Sequence, residues 1–316
     1  MKRIPAHFSL MLILFLLATV FSILSVANDS LAYEGRSMIQ THSDTGDQGK
    51  AILVFLDRIG WKDIYEARTP NLDRLMDIGS IGLMTTNTGG SLSQNNAYLT
   101  LGAGSRVVGV SGSQSAFPYG YSYRGERIEN LMFQITGYRM DEGSIANPSI
   151  AKLHRANENR PYRVKIGALG TALREAGIKV GVLGNCDNYR ITEKDVGGKN
   201  FLVSMMMDDR GIVPLGDVSQ SLLTEDPDWP MGIKTDYDKL MDTYKRLEKQ
   251  AHIIAIQLGD TSRAEDFRHL SMDFRIDLHK KRALEEGDKF IGRLLDRFDP
   301  DRDYMMILTP VGPARE

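Results

Sequence analysis

The chain has a single cysteine, Cys186, in 316 residues, so it has no intrachain disulfide and its stability must come from packing. It has almost no net charge. Thirty-nine basic residues against 41 acidic ones leave −2 at pH 7, which excludes the basic field of a nucleic-acid binder and gives no strong pull on anionic substrates. It has no internal repeat and no low-complexity tract, and only six histidines, at positions 7, 42, 154, 252, 269 and 279. What it does have is 42% hydrophobic residues, enough for a sizeable core in one large α/β domain or two smaller ones.

Its longest apolar run lies at the start. Lys2 and Arg3 precede Phe8 to Ala27, about 20 residues without a charge, ahead of the polar Asn28 to Ser30. That is the pattern of an export signal or a membrane anchor. The length suits an anchor, whereas Ser30 and Ala32 suit a cleavage site before Tyr33. Either way the basic end stays in the cytoplasm and the rest of the chain lies outside, membrane-anchored or secreted. Residues 1–32 are therefore read as signal or anchor, and 33–50 as a polar tether.

From Ala51 the pattern alternates between strand and helix. AILVFLD (51–57) is a continuous apolar run ending in an acid, as expected of a strand buried on both faces. TPNLDRLMDIG reads as a helix capped by Thr69, with Pro70 at its first position and Gly79 as its stop. SIGLMTT (80–86) reads as the next strand. A helix and strand follow in 164–185, with Gly177 as the helix stop. Tyr237, Leu240, Met241, Tyr244 and Leu247 mark a helix leading into HIIAIQLGD. Ile276, Leu284, Ile291, Leu294, Leu295 and Phe298 mark a long helix leading into DYMMILTP. This order predicts a doubly wound, mostly parallel sheet over 51–316, with 107–162 as an irregular excursion.

Ligands of such sheets bind at the carboxyl ends of the strands. Asp57 and Asp260 fall there, as does the turn from Thr309 to Gly312. Two carboxylates at adjacent strand ends can share a divalent cation, although each alone is equally suited to capping a turn.

In order, LVFLDRIGW, TPNLDRLMDIGSIGLM and AYLTLGAGSR resemble the alkaline phosphatase superfamily, closest in pattern to cofactor-independent phosphoglycerate mutases and membrane-attached bacterial relatives. The resemblance implies an alkaline-phosphatase-like core and a divalent metal, zinc or manganese, held by Asp57 and Asp260. It also implies a nucleophile shortly before the Gly-Ala-Gly turn.

Four departures stand against it. Arg58 replaces the usual glycine after the first acid. The ungapped nucleophile position falls on Gln94, with Ser93 one residue away. No histidine follows Asp260 at the family spacing. Thr309 and Pro310 stand where an Asp-His pair is expected.

Two functions of different class follow. One is a metal-dependent phosphoester hydrolase or phosphotransferase, weakened or lost, with Ser93 as nucleophile and Asp57 and Asp260 as metal ligands. The other is a non-catalytic domain in which Arg58, Asn95 and Asn96 bind a small anionic ester or an envelope component. Arg106 is a further anion-binding candidate, and Cys186 reads as a buried structural thiol rather than a nucleophile.

Overall fold

The apolar runs assemble side by side. The computed structural model describes residues 49–189 and 198–313, so the export segment and nearly all of the tether lie outside the described residues. Five strands, β1 (Ala51–Leu56), β2 (Val180–Leu183), β3 (Leu215–Asp217), β4 (Ile253–Leu258) and β5 (Tyr304–Leu308), form one sheet in the order β5-β1-β4-β2-β3. Every pairing is parallel. Parallel strands need crossovers, and the crossovers cover both faces. Alternate residues of β1 show this division: Ile52, Val54 and Leu56 enter one core, and Phe55 enters the other.

The first core is completed by α2 (Pro70–Ile78), α8 (Tyr237–Leu247) and α10 (Asp273–Leu295), through Leu72, Leu240, Tyr244, Leu284 and Ile291. The second is completed by α3 (Gln94–Ala103), α4 (Ile128–Thr136), α5 (Ile150–Asn157) and α7 (Phe201–Met206), through Tyr98, Ile128, Leu153 and Phe201. Short helices α1 (Trp61–Glu66), α6 (Ala168–Glu175) and α9 (Asp260–Asp266) fill the remaining connections. The architecture is α/β with an all-parallel central sheet, as the alternating pattern predicts. No helix among the described residues is long and apolar enough to cross a membrane.

Local expectations fail in four places. SIGLMTT forms no strand: residues 80–86 have no regular structure, and Leu83 is fully exposed. β-Prone composition gives a strand only where another strand offers its edge, and none does so here. Thr69 makes no side-chain cap on α2. Asp288 of α10 takes that role across 217 residues of sequence, accepting the backbone N–H groups of Asn71 at 3.1 Å and Leu72 at 2.8 Å. The excursion 107–162 is not wholly irregular, since α4 and α5 lie in it; Ile128, Leu131, Met132 and Ile135 carry a helical spacing that marks α4. Phe298 packs on the core but lies beyond the end of α10.

The Gly-Ala-Gly sequence ends α3. Gly104 adopts φ 60° and closes the helix, a conformation that costs a side-chain-bearing residue energy. Gly102 serves close packing against a helix, not a strand: a Cβ there would lie 2.3 Å from the Met205 carbonyl oxygen of α7. Gly102→Ala therefore sets helix propensity, which favours Ala by roughly 1 kcal/mol, against overpacking at about 1–3 kcal/mol. The backbone carbonyl cannot swing aside as a side chain can, so the clash wins. Urea unfolding of Gly102→Ala should show a lower midpoint; a higher one would mean that the helices separate freely.

Candidate functional site

The end of β1 delivers Asp57 into the interior with 1% of its surface exposed. Three neutral donors converge on Oδ2: the Tyr98 hydroxyl at 2.7 Å, the Gln94 amide nitrogen at 3.1 Å and the Gln257 amide nitrogen at 3.2 Å. Gln257 also donates to the Tyr98 oxygen at 2.9 Å, and Gln94 donates to Ser262 Oγ at 2.9 Å. The other oxygen, Oδ1, is buried without a partner. Burial raises the Asp57 pKa; the Tyr98, Gln94 and Gln257 donors and the Val311 backbone oppose the shift without cancelling it. Tyr98 is in turn pushed well above its ordinary value by burial and by the neighbouring carboxylate, so it stays a neutral donor.

Arg58 follows in the left-handed region at φ 61°. Its backbone N–H donates to the Val311 oxygen at 2.7 Å, which locks the end of β1 to the turn after β5. The side chain is half-buried, with Nε unpartnered. A glycine takes this conformation at little cost, whereas a residue with a Cβ takes it at about 1 kcal/mol or more.

Asp260, also 1% exposed, opens α9 after β4. Both of its oxygens are engaged. Oδ1 accepts from the Thr235 backbone at 3.0 Å and from Arg263 Nε and Nη2 at 3.1 and 2.7 Å; Oδ2 accepts from the Tyr237 hydroxyl at 2.9 Å. Arg263 is wholly buried and uses all five of its N–H groups, the other bonds reaching the backbone oxygens of Asn185 and Asp187 and the Thr235 hydroxyl. A guanidinium thus supplies the counter-charge that a metal would otherwise supply. A divalent cation at Asp260 would meet that positive charge directly, so Asp260 as placed does not fit a metal ligand. Of the two acids, only Asp57 keeps an oxygen, Oδ1, without a partner.

The remaining candidates serve the local scaffold. Ser93 is the N-cap of α3, its Oγ accepting from the Asn96 backbone at 3.2 Å, and Gln94 rather than Ser93 reaches Asp57. Asn95 exchanges hydrogen bonds with Ser113 Oγ at 2.8 and 3.0 Å. Asn96 donates to the Ser91 oxygen at 2.8 Å and accepts from the Gly109 backbone at 2.7 Å. Arg106 stacks on Tyr162 and donates to its hydroxyl. Cys186 is buried in the core, and burial pushes its thiol far above the ordinary range, so it stays protonated and inert.

The described histidines lie elsewhere. His154 pairs with the Asp209 carbonyl, His252 accepts from the Lys179 backbone, and His279 stacks edge-on with Phe267. His7 and His42 lie outside the described residues. Among the described residues no cluster of three His, Cys, Asp or Glu side chains is arranged to hold a metal.

Two residues of this site have signals in the sequence that the motif reading passes over. Gln257 is the one polar residue within the apolar strand IIAIQL, and a buried polar group needs a partner. Arg263 follows Asp260 at i,i+3, the spacing of a helical ion pair. Thr235 and Tyr237 flank the start of α8, and they also line a groove of about 610 Å³ with Lys289 and Arg293, whose charges are paired to Glu286 and Asp238.

Two measurements test these assignments. Arg263→Met leaves Asp260 buried and uncompensated, which should cost about 3–5 kcal/mol in urea unfolding; adding Asp260→Asn should return part of it. A loss below about 1 kcal/mol would show that the pair does not hold this region together. For Asp57, the folded carboxyl binds its proton more tightly than the unfolded one, so its contribution is fully present below the ordinary pKa of 3.8 and is lost as pH rises through the raised folded value. Relative to Asp57→Asn, the wild type should therefore weaken progressively above pH 3.8. A constant difference between the two proteins from about pH 3 to 8 would refute the assignment.

No family model matches the chain, and no curated protein does. Among solved structures it is similar to the PH0037 protein from Pyrococcus horikoshii, at 16% identity and a TM-score of 0.39 over 83% of this chain and 79% of that one.

Proposed function

We propose that this chain is an extracytoplasmic domain of alkaline-phosphatase type, held at the membrane by Phe8 to Ala27, that has lost metal-dependent phosphoryl transfer and keeps its strand-end site for binding. The observation that carries the reading is the placement of Gln94. Its amide nitrogen sits between Asp57 Oδ2 and Ser262 Oγ, at the position where the resemblance calls for a nucleophile. An amide nitrogen has no lone pair free to attack phosphorus, and it satisfies the carboxylate as a hydrogen-bond donor where a metal would otherwise be needed. The second metal position is met by Arg263 in the same sense.

The ligand class follows from what is left unpaired. Arg58 Nε offers a cationic donor, and Asp57 Oδ1 and Thr261 Oγ1 are buried oxygens without partners. A small anionic ester or an envelope component presenting both an anionic group and a hydroxyl or amine matches that inventory.

A second reading, a metal-dependent phosphoester hydrolase with Ser93 as nucleophile, draws on one specific feature: Asp57 keeps Oδ1 free on the carboxyl that Gln94 reaches, and Gln94 adjoins Ser93 at the N-terminus of α3. Its weakness is activation. Two metals would lower the serine pKa and clamp the phosphoryl oxygens, and one carboxylate oxygen is a poor substitute for that ligand set.

The purified full chain, assayed with phosphomonoesters and phosphodiesters in zinc or manganese, should show little or no turnover, unchanged in Ser93→Ala, and no metal-dependent rise in melting temperature. Robust metal-dependent hydrolysis that vanishes in Ser93→Ala would establish the second reading instead, since losing a true nucleophile costs several powers of ten in rate.

A further inference from the structure

Two helices near the strand-end site carry large apolar side chains that neither core absorbs. In α1, Trp61 is 63% exposed and Tyr65 82%; at the start of α10, Phe274 is 71% exposed, and Leu278 is exposed as well. Each pair lies on one face, since both are spaced i,i+4. The opposite faces point into the protein, through Asp63 and Ile64 in α1 and through Ile276, His279 and Lys280 in α10. The helices are neighbours: the buried Lys280 ammonium donates to Asp63 Oδ2 at 3.0 Å and pins α1 to the first turns of α10.

Their place in the fold is fixed by the sheet. α1 begins four residues after Asp57, and α10 starts beyond the carboxyl end of β4 and runs back to deliver β5. The aromatic face therefore lies at the same end of the sheet as Asp57. It is one strand length, about 20 Å for six residues, from the amino end where the described chain begins at Gly49.

We propose that this face docks on the outer surface of the bilayer that holds the chain, with Trp61, Tyr65, Phe274 and Leu278 inserted at the level of the lipid headgroups; the inference rests on the membrane-held reading above. Composition favours lipid over protein. Trp and Tyr combine an apolar body with a polar tip, which suits them to the boundary between headgroups and acyl chains. Shape points the same way, because side chains that protrude from helices need matching pits in a protein partner, whereas lipid flows around them. Charge agrees too: Lys281 continues the face of Phe274 and Leu278 at i+7, is exposed, and makes no ion pair among the described residues, so its ammonium can meet a lipid phosphate while its stem lies along the apolar face. Chain length does the rest. Asn28 to Gln48, 21 residues, separate the anchor from Gly49 and reach at most about 75 Å. Insertion is thus an intramolecular event, and a few apolar side chains suffice where they would bind an untethered domain only weakly. Docked in this way, the carboxyl ends of the strands lie on the membrane side of the domain, where a ligand borne on the membrane reaches them.

The two tryptophans make the test direct, because Trp229 is buried and out of reach of lipid while Trp61 heads the face. The full chain is reconstituted in vesicles of phosphatidylcholine and phosphatidylglycerol, with or without bromine on the upper acyl carbons, which quenches tryptophan only near contact. Brominated lipid should lower the emission of the wild type by about one third and leave that of Trp61→Phe unchanged. Phe274→Ser combined with Leu278→Ser, both exposed and so tolerated by the fold, should reduce the quenching at least about twofold. Flotation of the same vesicles separates anchoring from docking. A chain that floats with the vesicles yet is not quenched, or is quenched equally when Phe274 and Leu278 are replaced, overturns the docking and leaves the membrane-held reading standing; a chain that does not float overturns both. A floating chain whose Trp61 is shielded from a water-soluble quencher and untouched by brominated lipid has a protein cover there, such as a second copy, and that too overturns the proposal.

Discussion

The ion pair between Arg263 and Asp260 organises the carboxyl end of the sheet. A guanidinium with no exposure has nowhere to leave an N–H unpaired, since each unsatisfied buried donor costs about 1–3 kcal/mol. Arg263 therefore fixes the position of everything it touches: the start of α9 through Asp260, the chain leaving β2 through the oxygens of Asn185 and Asp187, and the approach to α8 through Thr235. Three connections that are distant in sequence converge on one side chain. Because burying two charges costs more than burying none, the pair is better understood as fixing this geometry than as adding stability.

The same logic separates the two acids at the strand ends. Asp260 has a full cationic partner and four hydrogen bonds, so its charge is neutralised within the protein. Asp57 has only neutral donors, its three side-chain ones all on one oxygen, and burial leaves its carboxyl proton-retaining compared with an ordinary aspartate. Arg58 sits beside it in a strained backbone conformation with its Nε unused. Strain and unpaired polar groups concentrated at one strand end are the usual marks of a place kept for something other than stability.

The sheet was legible in the sequence because its strands are continuous apolar runs, and such runs need two covered faces. β1, β4 and β5 lie within a residue or two of the expected spans, and α2 and α8 begin and end where their apolar spacing says. Failures came where a distant residue decides a local outcome. Thr69 is a plausible cap by sequence, but Asp288 reaches the same N–H groups from α10 and displaces it. SIGLMTT has the composition of a strand and lacks a neighbour to pair with.

Of the expected site residues, Asp57 and Asp260 lie at strand ends, Ser93 caps a helix while its neighbour Gln94 reaches Asp57, and the partners that define the chemistry are Tyr98, Gln257, Ser262 and Arg263. Tyr98 lies in AYLTLGAGSR and Gln257 in the run HIIAIQLGD, yet neither pattern marks them as partners of an acid, and Ser262 and Arg263 fall outside the quoted motifs. They matter because tertiary structure brings them within 3.2 Å of a carboxylate or of the Gln94 amide that serves one.

A site stabilised by its own amides and guanidinium does not depend on a bound ion for its shape. In a metal-dependent site, two carboxylates repel each other until the cation arrives, and removing the metal loosens the strand ends. Here neutral donors hold Asp57 and a guanidinium holds Asp260, so the geometry of the strand ends is formed without an ion. The groups still unsatisfied are Asp57 Oδ1, Thr261 Oγ1 and Arg58 Nε, each of which carries a desolvation cost that the fold leaves unanswered.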